Sequence, residues 1–317
     1  MKRRELLQRS AAFGCMAAIP FMIPSGESNS KLAESANDLP QGKPTPVTNP
    51  LKPPAQGSIP VAFLVSEDAV VIDFCGPWAV FNNVSIPGRK GNPFRLYTVA
   101  ETTNPIHASG GMKLIPDYTL DTAPAPKVIV IPAQSGKSEA MLEWLRKSTK
   151  STDVTMSVCT GAFLLAHTGL LSGKAATTFH SAFSDFEAQF PDIRLKRGAR
   201  FVEDGNLASS GGLSSGIDLA FRVVERYYGH EVAENTAYTM EYQGQGWMNS
   251  DSNNVYAKIR TSTDKQHPVC PVCGMDVDAE IAPSTYKGEN YYFCLLEHKQ
   301  MFDATPEKFV PPPSARR

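Results

Sequence analysis

The chain has 317 residues, 42% of them hydrophobic, and sets 31 basic against 32 acidic side chains for a formal net charge of -1. That length and apolar content allow a full core, on the order of two folded units. A balanced charge with scattered basic residues gives no footing for nucleic acid, and no run of about 20 apolar residues offers the mature protein a transmembrane helix.

The first residues, MKRRELLQRS, are a charged head with paired Arg3 and Arg4, and AAFGCMAAIPFMIP after them is apolar but too short to span a bilayer comfortably. This order resembles a bacterial twin-arginine export signal, which implies a periplasmic or otherwise exported protein; the plainer alternative is an amphipathic N-terminal helix. From about Ser25 to Ser58 the chain is rich in Pro, Ser, Asn and Lys without hydrophobic period, so residues 1–58 are expected to be signal and disordered tether.

From residue 59 to 245 short apolar runs alternate with helical patterns. IPVAFLV (59–65), FRLYTVA (94–100), KVIVIPA (127–133) and VTMSV (154–158) read as buried strands. DFCGPWAVFNNV (73–84) reads as a helix beginning near Pro77, SEAMLEWLRKST (138–149) as a second, and the run after Cys159 as a third. RFVEDGNLASSGG reads as a strand hairpin or a strand–turn, with Gly211 and Gly212 supplying turn geometry before the long helix 214–229, where Asp218 begins the helix-face pattern. Strands alternating with helices predict an α/β domain with a mostly parallel sheet covered by helices on both faces. In such sheets ligands collect outside the carboxyl ends of the strands.

Cys159 lies one residue beyond such an end, in VTMSVCTGAFLLAHTGLL. A strand–nucleophile–helix turn exposes the side chain in a strained elbow, and the following helix N-terminus favours thiolate and offers backbone N–H groups to a developing anion. The plainer reading is a small buried side chain. Cys75 reads either as a redox thiol or as packing beneath the Gly76-Pro77 turn, and His180 as a helix-start surface or packing residue.

SVCTGAFLLAHTGLLSGKAATT, DFCGPWAVF and GNLASSGGLSSGIDLAFRVVERYYG, in that order, together resemble the ThiJ/PfpI superfamily over roughly residues 59–243. The match is nearest the isonitrile hydratase-like branch, which also resembles the amidase-like sensor domains of some AraC-type regulators. The resemblance implies a flavodoxin-like, glutamine-amidotransferase-like fold, a nucleophilic Cys159, a carboxylate at Asp73 and a hydroxyl at Thr160. Asp73 would exchange a proton with thiol or substrate, Thr160 would orient the substrate, and the Gln134 N–H would be a second oxyanion donor. Many relatives carry histidine directly after the cysteine and Gly-Gly where this chain has Ala133-Gln134. Thr160 therefore argues against a Cys-His peptidase and for hydratase-like chemistry on a small molecule, and a homodimer is compatible with the resemblance.

Residues 246–266 are polar and weakly periodic and read as a linker with a short helical part. Beyond them, Cys270, Cys273, Cys294 and His298 form C-x2-C and C-x3-H pairs, the way tetrahedral soft-metal sites are assembled. CPVCGMDV, YYFC and the closing EKF resemble the YHS domain, a small metal-associated module, here spanning 267–312 with α+β character. The resemblance implies zinc or copper held by these residues, with His298 where many relatives have cysteine and Cys270 as an additional upstream thiol whose ligation stays open. A Cys270–Cys273 disulfide or packed thiols is the alternative; Met275 and Met301 would assist a soft ion or fill core gaps. Three functions follow: an exported cysteine-dependent hydratase or hydrolase, which is the preferred reading; a non-enzymatic small-ligand and metal-binding protein; and a redox sensor.

Overall fold

A computed structural model describes residues 44–257, 268–274, 277 and 281–310; the export signal, most of the proposed tether and Met275 lie outside them. Seven strands form the central sheet: β1 (Ile59–Leu64), β2 (Phe94–Ala100), β3 (Tyr118–Thr119), β4 (Val128–Ile131), β5 (Val154–Val158), β6 (Phe201–Asp204) and β7 (Leu207–Ser210), in the order β6-β7-β5-β4-β1-β2-β3. All neighbours pair in parallel except β6 and β7, an antiparallel hairpin turned at Gly205. The α/β, mostly parallel, flavodoxin-like expectation holds.

The continuous apolar strands are buried from both sides. Val61, Phe63 and Val65 pack against α1 (Val71–Asn82), α5 (Ser215–Tyr228) and α6 (His230–Thr239). Ala62 and Leu64 face α2 (Glu139–Ser148), α3 (Gly161–His167) and α4 (Phe183–Gln189) on the other side. The period of two along β1 thus feeds two cores. Ser138 starts α2 by accepting the Met141 N–H (3.2 Å), and Gly229 ends α5 at φ +87°.

Three expectations are corrected. Helix α1 begins at Val71 rather than near Pro77, which lies inside it; Asp73 is therefore in its first turn, where a carboxylate suits the helix dipole. Cys75 is exposed, not packed beneath a turn, and Gly76 instead lets α5 approach, since a Cβ there would meet Ile217 Cγ1 at 2.7 Å. The tether reading fails for residues 44–51. Arg222 Nη1 and Nη2 on α5 donate to the Thr45 and Pro46 carbonyls (2.9 and 2.7 Å), and Arg226 Nε donates to Asn49 O (2.8 Å).

Residues 246–257 are likewise pinned rather than free. Trp247 and Asn253 are buried, and buried Asp218 accepts from the Trp247 N–H, Tyr242 Oη and Arg200 Nε (3.0, 3.0 and 2.7 Å). His180 opens a short 3-10 turn and stacks on Tyr256 (ring centroids 5.1 Å), in keeping with a packing role. None of the described helices is long and apolar enough to cross a membrane.

The C-terminal module is a hairpin, β8 (Ser284–Tyr286) and β9 (Glu289–Tyr291), followed by α7 (Leu296–Ala304). Cys270, Val272, Cys273, Val277, Phe293 and Phe302 make its small core. The pairing of a little sheet with one helix is the α+β module expected.

Candidate active site and metal centre

Strand β5 ends at Val158 and α3 begins at Gly161, so the chain must reverse over Cys159 and Thr160. Cys159 does this at φ +57°, a left-handed conformation that costs a non-glycine residue about 1–2 kcal/mol. Two hydrogen bonds hold it there: its N–H donates to Gly211 O (3.1 Å), and its carbonyl accepts Thr178 Oγ1 (2.9 Å). Gly161 is obligatory behind the elbow, because a Cβ would stand 2.2 Å from the Ile131 carbonyl oxygen. The strained turn read from the sequence is present.

Asp73 comes from the first turn of α1, beside the segment that follows β4. Its carboxylate is fully buried, and Oδ2 accepts the Ala133 N–H (3.1 Å). Oδ1 is buried without a hydrogen bond of good geometry, and the Cys159 thiol is the polar neighbour of the carboxyl. Burial pushes Asp73 up to about 7, against the opposing pull of the Ala133 N–H and the Cys159 thiol.

The expected thiolate is not what this arrangement favours. Burial, and next the Asp73 charge, push Cys159 up to about 11, although the Thr160 and Leu213 N–H groups and the Thr160 hydroxyl act in the other direction. A seven-residue α3 offers a short dipole, and Cys159 is only 6% exposed. Between about pH 7 and pH 11 the pair carries one proton, with carboxylate at Asp73 and thiol at Cys159.

Thr160 and Gln134 line a cleft of about 230 Å³ together with Pro132, Lys137, Phe163 and His167, whereas neither Cys159 nor Asp73 lines it. The Gln134 side chain donates from Nε2 to Leu64 O (3.1 Å), and its Oε1 is buried without a partner among the described residues. Lys137 Nζ lies 3.2 Å from His167 Nε2, and burial, then that lysine, lowers the imidazole pKa. Sequence reasoning missed Leu213, Lys137 and His167; the i, i+7 spacing from Thr160 would have placed His167 on the helix face that carries Thr160, but nothing signalled the other two. A roomier cavity of about 710 Å³, beside Leu120 and Trp144, contains none of the candidate catalytic residues.

In the C-terminal module, Gly274 at φ +74° closes a turn in which its N–H donates to Cys270 O (2.7 Å). The turn brings Cys270 and Cys273 to the start of α7, where Cys294 and His298 sit. The four ligand atoms lie within 4.8 Å of one another: Cys273 Sγ to Cys294 Sγ is 3.4 Å, and His298 Nδ1 is 3.2 Å from Cys294 Sγ and 3.7 Å from Cys270 Sγ. A tetrahedral ion with metal–sulfur bonds near 2.3 Å needs ligand separations of about 3.7 Å, so the donor set fits a soft cation. All four predicted ligands converge, Cys270 included, and among the described residues no disulfide joins these cysteines. Hydrogen bonds with Cys273 and His298 lower the Cys270 thiol, while Asp185 first and Cys270 next raise the His298 imidazole. Asp185, which the sequence did not single out, has both carboxylate oxygens 3.0 Å from His298 Nε2. Met301 packs against the module's core.

A doubly covered parallel sheet whose central strand delivers a strained cysteine to a buried carboxyl defines an α/β protein of the nucleophile-elbow class. The chain belongs to the DJ-1/PfpI family, whose model matches residues 60–226, and residues 269–312 match the YHS domain. It is 30% identical over 190 residues to an isonitrile hydratase from Pseudomonas putida, covering 58% of this chain and 79% of that protein. It is 25% identical over 144 residues to the HTH-type transcriptional regulator CdhR of Pseudomonas aeruginosa, covering 44% of this chain and 43% of the regulator. Among solved structures, a ThiJ/PfpI family protein from Pseudomonas syringae superposes with a TM-score of 0.54 at 25% identity, over 65% of this chain and 84% of that one.

Proposed function

We propose that this chain is an exported, cysteine-dependent enzyme of isonitrile hydratase-like type whose C-terminal module binds zinc or copper. The observation that carries the enzymatic reading is the strained Cys159 beside the buried, partner-poor Asp73. Likeness to the Pseudomonas putida hydratase supports the reaction class, and the paired Arg3 and Arg4 ahead of an apolar stretch support export. The cleft beside Thr160 and Gln134 suits a small molecule, and assembly as a homodimer is part of the proposal.

A neutral thiol next to a carboxylate base suits this reaction better than a free thiolate would. Hydration of R–N≡C to R–NH–CHO requires a nucleophile and a proton to reach the same terminal carbon. In the first step the Cys159 sulfur bonds to that carbon while the thiol proton passes through the Asp73 carboxylate onto it, giving the thioimidate R–N=CH–S. Water then adds to the carbon, one of its protons going to nitrogen and the other, as the carbonyl forms, to the Asp73 carboxylate. The C–S bond breaks, the sulfur recovers a proton from Asp73, and the formamide leaves. The Thr160 and Leu213 N–H groups face the sulfur throughout and steady the charge that develops there. Gln134 borders the substrate through its side chain, whose unpartnered Oε1 is an acceptor for a substrate or product N–H.

Cys270, Cys273, Cys294 and His298 would hold the module's metal, which would supply a structural cross-link, and no step of the hydration passes through it. A second reading, a non-enzymatic small-ligand and metal-binding protein, is favoured by the raised Cys159 thiol and its small exposure. Turnover of an aryl isonitrile to the formamide separates the two: the wild type is expected to hydrate it and Cys159→Ala to lose at least about a thousandfold in rate. Full turnover by Cys159→Ala, or none by the folded wild type, refutes the enzymatic reading.

A further inference from the structure

Among the described residues, two sets of hydrogen bonds join the first domain to the C-terminal module, and they arrive at the metal centre itself. Both start from α4. Ser184 Oγ donates to the carbonyl of Val272 (3.0 Å), which lies between Cys270 and Cys273, and Asp185 engages His298. The first domain thus touches both halves of the ligand set, the cysteine turn and the helix that carries the histidine.

The roles of the two imidazole nitrogens follow from distance. Nδ1 points at the sulfur cluster, 3.2 and 3.7 Å from two thiols, and is the ligating atom; Nε2 points away, to the Asp185 carboxylate at 3.0 Å. A ligating histidine is held in its productive tautomer and orientation when its other N–H donates to a carboxylate, which also makes it a stronger ligand. His298 is 4% exposed, so solvent is a poor substitute for that partner, whereas the Asp185 side chain remains 29% exposed and tolerates replacement.

We propose that Asp185 is a positioning residue for the metal ligand His298, so that metal capture by the module and its docking on α4 are one linked equilibrium. The proposal rests on the metal reading above. By linkage, whatever factor docking adds to metal affinity, the metal returns to docking. The C-terminal module is then a metal site completed by the first domain, and its occupancy is communicated to α4.

Zinc(II) and copper(I) are titrated separately into the full-length wild type, Asp185→Ala and Asp185→Glu against a competing chromophoric chelator. Amide hydrogen exchange of Phe183–Gln189 and Leu296–Ala304 is followed with and without the bound ion. Asp185→Ala is expected to bind about 10- to 100-fold more weakly, with Asp185→Glu recovering part of the loss. Metal is expected to protect both α4 and α7 in the wild type but α7 alone in Asp185→Ala. Wild-type binding matched within twofold by Asp185→Ala, or metal that leaves α4 exchange unchanged in the wild type, overturns the linkage and leaves the metal reading standing. A wild type that captures neither ion overturns both.

Discussion

Replacing Asp73 by asparagine removes a buried ionisable group while keeping its shape and an oxygen for the Ala133 N–H. In the folded protein burial raises Asp73 from 3.8 to about 7, so across roughly pH 4 to 7 the native state holds a proton that the unfolded chain has released. Stability therefore falls as pH rises through that window, and the full cost is present above about pH 7. At 1.36 kcal/mol per pH unit, that interval corresponds to about 4 kcal/mol. Asp73→Asn has no such dependence, so the variant is expected to match the wild type near pH 4 and to exceed it by as much as about 4 kcal/mol at pH 8, while losing isonitrile turnover. Urea unfolding of both proteins from pH 4.5 to 8.5 measures the difference. A difference that stays constant with pH, or a variant less stable at pH 8, refutes the claim that burial raises the titration of this carboxyl.

Gly161→Ala would drive a methyl group to 2.2 Å from the Ile131 oxygen and 2.7 Å from that of Pro132; it is expected to cost at least about 2 kcal/mol in urea unfolding and to cut turnover as the elbow shifts, and unchanged stability would contradict the close approach. Arg222→Ala frees the Thr45 and Pro46 carbonyls and strips Glu225 and Glu203 of a buried partner. It is expected to lower stability by about 3 kcal/mol and to open residues 44–51 to limited proteolysis, and an unaltered cleavage pattern would contradict the strap.

The sheet was legible because strands such as VIVI are apolar on every residue and VTMSV carries only small or β-branched polar residues between apolar ones, the mark of burial on both faces. Cys159 was legible for the same reason: a thiol between a β-branched run and a helical one sits at a strand end. The ligand quartet was legible because short spacings within each cysteine-bearing pair put both members on one turn. Asp73 was reached through family likeness, and its distance of 86 positions from Cys159 carries no local signal. What the sequence could not convey is electrostatic. The motif that suggested a thiolate says nothing of how deeply the sulfur is buried or of the carboxylate charge beside it, and those two terms outweigh the short helix dipole. Asp185 and the strap at 44–51 were missed because each depends on a contact between distant segments, in the second case on arginines that local polarity alone would assign to solvent.

The account's central claim is that Asp73 and Cys159 share one proton and that the carboxylate takes it from the thiol during attack. The most direct test is the pH dependence of kcat/KM for isonitrile hydration, which reports the free enzyme's essential groups. The wild-type value is predicted to rise through an apparent pKa of about 7 and then level off. A profile that instead climbs steadily toward pH 11, as a preformed thiolate would require, or one that is flat across pH 5 to 9, would contradict it.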